Sequence, residues 1–76
     1  MTNAEMQQRK KEIGKLIKAR RIAIGYNQSE LAKLIGMTDK SRTRITDIEA
    51  GRKTLTLRYI RSAAQILGLP IDRLIP

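Results

Sequence analysis

Apolar residues recur at helical spacing from near the start of the chain. Met6, Ile13, Ile17 and Ile24 fall on one face, Leu16, Ala19 and Ala23 widen it, and Arg9, Lys10, Lys11, Lys15 and Lys18 take the polar side. Thr2 and Glu5 have capping-box spacing, which opens this helix near Asn3, and Gly25 supplies a left-handed stop after Ile24. Asn27 then caps a short helix, Gln28 to Ile35, with Glu30 placed to reach back to its amide and Leu31, Ala32 and Ile35 turned inward.

Gly36 ends that helix. The stretch 37–41 is polar and turn-like, and a further helix runs to about Ala50, where Gly51 is the next stop. Beyond a short basic loop at 52–55, Thr56 can cap a helix through Leu67, with Leu57, Ile60, Ala63, Ala64 and Leu67 on one face. Gly68 closes it, and Pro70 fits the first turn of a last short helix, Ile71 to Ile75. No segment alternates as a strand does, and no internal repeat or linker divides the chain. The expected fold is all-α, a compact bundle of five helices forming one domain over residues 1–76.

The stretch from Gln28 to Gly51 has a particular geometry. Ala32 is small enough for a neighbouring helix to approach closely, and Gly36 can take the positive φ that a tight interhelical turn needs. Ile45 and Ile48 give the following helix one apolar edge to lay against the first. Two short helices crossing steeply in this way project the second outward, where it can enter a major groove.

Charge narrows the partner. Sixteen Lys and Arg against seven Asp and Glu leave a net charge of +9 and a pI near 10.7, so a polyanion is the expected partner. Cysteine and histidine are both absent, which removes disulfides, thiolate metal sites, the commonest metal ligand and the commonest general base. No nucleophile–base set or phosphate loop stands out, so neither an enzyme nor a cofactor is expected. The N-terminal residues have no apolar signal core and no run is long enough to span a membrane, so a cytoplasmic protein is expected. Tyr26 and Tyr59 are too few and too scattered to stack single-stranded bases.

The run from Arg21 through Gly25, Tyr26, Asn27, Gln28, Leu31, Ala32 and Ile35 to Gly36 resembles the phage repressor and Cro (Xre-type) helix-turn-helix family. Ile48-Glu49-Ala50-Gly51 is similar to its Ile-Glu-x-Gly signature, and Ile60, Ala63, Ala64, Leu67, Gly68, Leu69 and Leu74 fit its closing pattern. The resemblance spans about residues 13 to 75 and implies a lambda-repressor-like fold in a prokaryotic or phage regulator acting at the nucleoid. One departure stands out: Gly36 and Glu49 lie about three residues further apart than in the family. The insertion, within 37–41, lengthens either the turn, with Ser41 as N-cap, or the recognition helix, with Asp39 as N-cap.

The resemblance also implies roles. Asn27 and Gln28 would touch the DNA backbone, although Asn27 could also serve as a cap alone. Arg52, Lys53 and Thr54, past the recognition helix, would touch phosphates or the minor groove, unless they are simply a basic surface loop; Lys40, flanking the outward face of that helix, is a further candidate for the DNA backbone. Arg21 and Glu49 would form an ion pair tying the first helix to the recognition helix. Tyr26 occupies an apolar position of the family and is expected in the core.

At 100° per residue, Ile45, Ile48 and Glu49 share the inward side of the recognition helix and Thr43 and Asp47 face outward, flanked by Lys40, Arg44, Thr46 and Ala50. Arg42 stands at the helix start. Arg can pair with guanine, Asp can accept from cytosine and Thr can reach several base edges, so Arg42, Thr43, Arg44, Thr46 and Asp47 are the expected base readers. The whole reads as a sequence-specific double-stranded DNA-binding regulator. It would repress as a homodimer on a palindromic operator, joined through Ile66, Leu69, Ile71 and Ile75, because two half-sites together give the selectivity one lacks. The rival reading is an antitoxin or adaptor on the same bundle, built to bind a toxin or other regulatory protein. A membrane-surface helix at the N-terminus is disfavoured by Arg21 within the apolar stripe.

Overall fold

The computed structural model describes residues 2–37 and 41–76. Four α-helices follow one another: α1 (Asn3–Ile24), α2 (Gln28–Leu34), α3 (Ser41–Glu49) and α4 (Leu57–Leu67), with a single 3-10 turn at Ile71–Arg73. The fifth helix expected at 71–75 is only this turn, and Pro70 precedes it in an extended conformation. Among the described residues there is no strand, and no described helix is long and apolar enough to cross a membrane. Ser41 already lies within α3, whereas the candidate cap Asp39 and the candidate backbone contact Lys40 fall outside the described residues.

Local chemistry sets most of the ends. Thr2 and Asn27 each form a complete capping box, with Glu5 and Glu30 respectively, satisfying amides that the first turn of a helix leaves free. Thr56 flanks α4 in extended conformation, but its side chain makes no capping hydrogen bond. At the end of α2, Met37 N–H reaches Ala32 O at 2.9 Å and Gly36 N–H reaches Lys33 O at 3.1 Å. That double closure requires the left-handed φ of +90° at Gly36, and it drops Met37 into the core.

Ile17, Leu31, Ile45, Ile48, Leu67 and Leu74 are fully buried and draw every helix onto one core. α3 packs on both α2 and α1, and α4 packs on α1 and the 3-10 turn. The inward stripe of α1 is narrower than its periodicity suggested. Ile13, Gly14, Ile17 and Arg21 are buried, but Ala19, Ala23 and Ile24 are exposed: at 100° per residue Ala19 and Ala23 lie across the helix from the buried stripe, and Ile24 is the last residue of α1. Tyr26 is half-buried rather than in the core.

Two glycines make the contact between α1 and α3 possible. A methyl group on Gly14 would collide with the Ile48 and Glu49 carbonyl oxygens, so the backbone of α1 rests directly on the last turn of α3. Gly51, at φ +79°, sits just as closely against Lys11, where an added carbon would lie 3.0 Å from Lys11 Cα. Side chains from α1 also hold the C-terminal segment. Arg9 donates to Ile75 O at 2.9 Å and to Asp72 O at 3.1 Å, and Arg20 Nε donates to Leu67 O at 2.9 Å. Part of the basic face of α1 therefore closes the fold, satisfying carbonyls that the ends of α4 and the chain leave free.

Candidate nucleic-acid interface

The interface is organised by a buried pair at the base of α3. Arg21 Nε donates to Glu49 Oε2 at 2.6 Å and its Nη2 to Oε1 at 3.0 Å, a bidentate arrangement of a guanidinium and a carboxylate. A third donor, Nη1, reaches Tyr26 O at 2.9 Å, so the linker between α1 and α2 is fixed by the same side chain. Both side chains are at least nine-tenths buried. Hydrogen bonding to Glu49 raises the Arg21 pKa above its ordinary value against the opposing effect of burial, and the charge on Glu49 adds to it.

The pair extends outward through Gln28. Its Nε2 donates to Glu49 Oε1 at 3.1 Å, and its Oε1 accepts from the Thr46 hydroxyl at 3.0 Å. Thr46 Oγ1 also lies 2.9 Å from Arg42 O, one turn back along α3. A continuous hydrogen-bonded line thus runs from α1 through the first residue of α2 to the exposed side of α3.

Of the five expected base readers, Thr43 and Asp47 were expected to face outward, with Arg44 and Thr46 flanking them and Arg42 at the helix start; the five occupy four environments. Arg42 and Thr43 are exposed, and none of the described contacts engages their side chains. Thr46 is exposed but tied to Gln28. Arg44 is half-buried, its guanidinium carbon 5.2 Å from the centre of the Tyr59 ring, while Arg58 lies 5.9 Å from the same ring. Asp47 is bound by Arg52 Nε at 3.0 Å and approached by Lys53 Nζ at 3.6 Å. The Arg52 hydrogen bond is the main reason that the Asp47 carboxyl titrates below the usual carboxylate range; partial desolvation opposes it and the charges of Arg52 and Lys53 reinforce it.

Arg52 and Lys53 therefore meet Asp47 in the free protein, although both remain largely exposed, and Thr54 beside them is half-buried. Asn27 accepts from Glu30 N–H at 2.8 Å, so its side-chain oxygen is engaged as a cap, and the residue as a whole is exposed. A shallow cleft lined by Arg21, Asn27, Gln28, Ser29 and Arg42 joins the start of α2 to the start of α3. The N-termini of helices favour anions, and the cleft collects one such terminus with an exposed arginine. Sequence reasoning missed the stacking of Arg44 on Tyr59 and the closure of Arg52 onto Asp47. It also missed the close approach at Gly14, for which an uncharged gap within the helical stripe was the one available sign.

The C-terminal surface is more varied than its apolar residues suggested. Ile66 and Leu69 are partly buried against the core, whereas Ile71 and Ile75 are 40% and 43% exposed. Leu57, at the start of α4, is more exposed still.

A family model described as helix-turn-helix matches residues 17–74, which cover α2, α3, α4 and the last turns of α1. The restriction-modification controller protein C.AhdI from Aeromonas hydrophila is similar in structure, with a TM-score of 0.72 and 26% sequence identity. That similarity covers 87% of this chain and 96% of the controller protein. With its helical architecture, its outward-facing α3 and a family match over most of its length, the chain belongs to the phage repressor and Cro (Xre-type) helix-turn-helix family of DNA-binding transcription regulators.

Proposed function

We propose that the protein is a cytoplasmic, sequence-specific regulator that binds a palindromic operator as a homodimer and represses from it, as a controller of a restriction–modification system. The observation that carries this reading is the pair of exposed side chains Arg42 and Thr43 on α3, which none of the described contacts engages, beside the cleft at the start of α2. An α-helix fits the major groove, where an arginine can address guanine O6 and N7 and a threonine several base edges. Gln28, Asn27, Arg52, Lys53 and Thr54 flank that face and would hold phosphates on either side of it. The net charge of +9 supplies the sequence-independent attraction. Similarity over nearly the whole length of a restriction-modification controller protein supports the regulatory role.

Selection from random duplexes with the purified protein tests this directly. The expected product is a pair of inverted half-sites whose centres lie one helical turn of DNA, or a multiple of it, apart. Binding should weaken steeply as salt rises. Enrichment of no sequence, with salt-insensitive or undetectable binding, would remove the DNA-reading role and leave the protein-interaction alternative.

A further inference from the structure

The hydrogen-bonded line from Arg21 to Thr46 has a direction, and the direction follows from charge. Glu49 is a carboxylate paired with a guanidinium, so toward Gln28 it can only accept. Gln28 must therefore turn its NH2 group to Glu49, which fixes its carbonyl oxygen on the other side, facing Thr46. A hydroxyl carries one proton. Thr46 has two places to put it, Gln28 Oε1 at 3.0 Å and Arg42 O at 2.9 Å, and both are acceptors within the protein. Whichever it chooses, the proton points inward and the oxygen lone pairs are left for solvent.

We propose that Gln28, held by Glu49, and the Arg42 carbonyl oxygen together fix the polarity of the Thr46 hydroxyl, so that Thr46 meets DNA as an acceptor and selects a base whose major-groove edge donates. Two bases have such an edge: adenine through its N6 amino group and cytosine through its N4 amino group. Guanine O6 and thymine O4 are acceptors and would face lone pairs. Thr46 is then a specificity-determining residue, while Gln28 and Glu49 are positioning residues that act through it. The second amide proton of Gln28 stays free for a phosphate, so the two roles of that side chain are compatible. The inference rests on the DNA-reading face proposed above.

The test compares sequence selections by the full chain with those by Thr46→Val and Gln28→Met. Valine keeps the shape of threonine and replaces the hydroxyl with a methyl group. The wild-type chain is expected to enrich adenine or cytosine at one position of each half-site, and Thr46→Val to lose that preference there alone. On the selected operator, Thr46→Val should bind about three- to tenfold more weakly, the scale of one neutral hydrogen bond. Replacing that adenine with purine, or that cytosine with pyrimidin-2-one, should cause a similar loss for wild type and none for Thr46→Val. Gln28→Met removes one of the two inward acceptors and leaves Arg42 O, so the preference for adenine or cytosine at that position should weaken without reversing, while the other positions keep their preferences. A purely structural role for Gln28 would instead lower affinity without weakening that base preference.

Three outcomes overturn the proposal. They are an unchanged selection by Thr46→Val, a keto base at the position that Thr46 controls, or a Gln28→Met selection identical to wild type. Failure of the wild-type chain to enrich any sequence also overturns it, but by removing the DNA-reading role on which it rests.

Discussion

Arg52 is joined to Asp47 twice: its backbone N–H donates to the Asp47 carbonyl oxygen at 2.9 Å, and its guanidinium Nε to the Asp47 carboxylate at 3.0 Å. The turn that ends α3 and the first cation beyond it are thus set by one residue. On the proposed reading, a DNA phosphate would compete with that carboxylate for Arg52 and Lys53. Asp47→Asn is therefore expected to strengthen binding to random duplexes and to steepen its salt dependence more than the charge-matched, exposed Asp72→Asn does. Equal effects of the two variants in a salt titration would show that net charge alone matters.

The same contact predicts a pH effect. Because its folded pKa is depressed, Asp47 contributes stability that is fully present above the ordinary aspartate value of about 3.9. That contribution is lost only as pH falls through the lower folded value. A carboxyl-carbon NMR titration should place Asp47 below the ordinary aspartate range, and Arg52→Ala should move it back upward. An Asp47 midpoint that Arg52→Ala leaves unmoved would mean that Arg52 does not hold the carboxylate in solution.

Removing one member of the Arg21–Glu49 pair strands a buried charge. Arg21→Met or Glu49→Met alone should destabilise the fold by about 3–5 kcal/mol, a large part of the stability of a chain this size. The double variant should lose less than the sum, because no charge remains buried. Denaturant melts measure all three, and strict additivity would deny the contact.

Gly14 sets two effects against each other. Helix propensity alone favours alanine by up to about 1 kcal/mol at an interior position. The added methyl, however, meets the backbone of Ile48 and Glu49, which has no rotamer to yield. Overpacking of that kind costs about 1–3 kcal/mol, so Gly14→Ala should be destabilising on balance. It should also weaken DNA binding, since relief requires α3 to shift. A higher melting temperature for Gly14→Ala would reverse this account.

Ile71 and Ile75 are the most exposed of the four apolar residues near the C-terminus that were expected to join two copies. Ile71→Ser and Ile75→Ser should leave the unfolding transition of the monomer nearly unchanged while moving the sedimentation coefficient from dimer to monomer. A wild-type chain that sediments as a monomer at high micromolar concentration, with and without DNA, would defeat the expectation.

Helix ends were legible in the sequence where their chemistry is local. Thr2 with Glu5 and Asn27 with Glu30 act within three residues, and Gly36 and Gly68 need no partner to take positive φ. The inward face of α4 was legible because Ile60, Ala63, Ala64 and Leu67 repeat with the helix. Periodicity could not say how wide the buried stripe of α1 is, so Ala19 and Ala23, on its far side, and the terminal Ile24 were assigned inward. It also placed five side chains of α3 by angle alone. What separates Arg44 and Asp47 from Arg42 and Thr43 is a ring on α4 and two cations beyond the end of α3. Such contacts depend on where the next element lands, which a helical projection does not contain.

The division of α3 limits how much information its contacts can carry. With Arg44 stacked on Tyr59 and Asp47 bound to Arg52, the proposed reading face of α3 comes down, among the described residues, to Arg42, Thr43 and Thr46. Each fully read base pair divides the possible sites about fourfold, so three readers per half-site on the two proposed half-sites would single out at most about one sequence in 4,000. A genome offers at least about a million competing sites, of which hundreds would satisfy those contacts equally. The remaining discrimination has to be written in the DNA itself, as the bendability and groove width of steps that no side chain touches. Changes in the spacer between half-sites should therefore matter as much to this protein as changes in the bases beneath it.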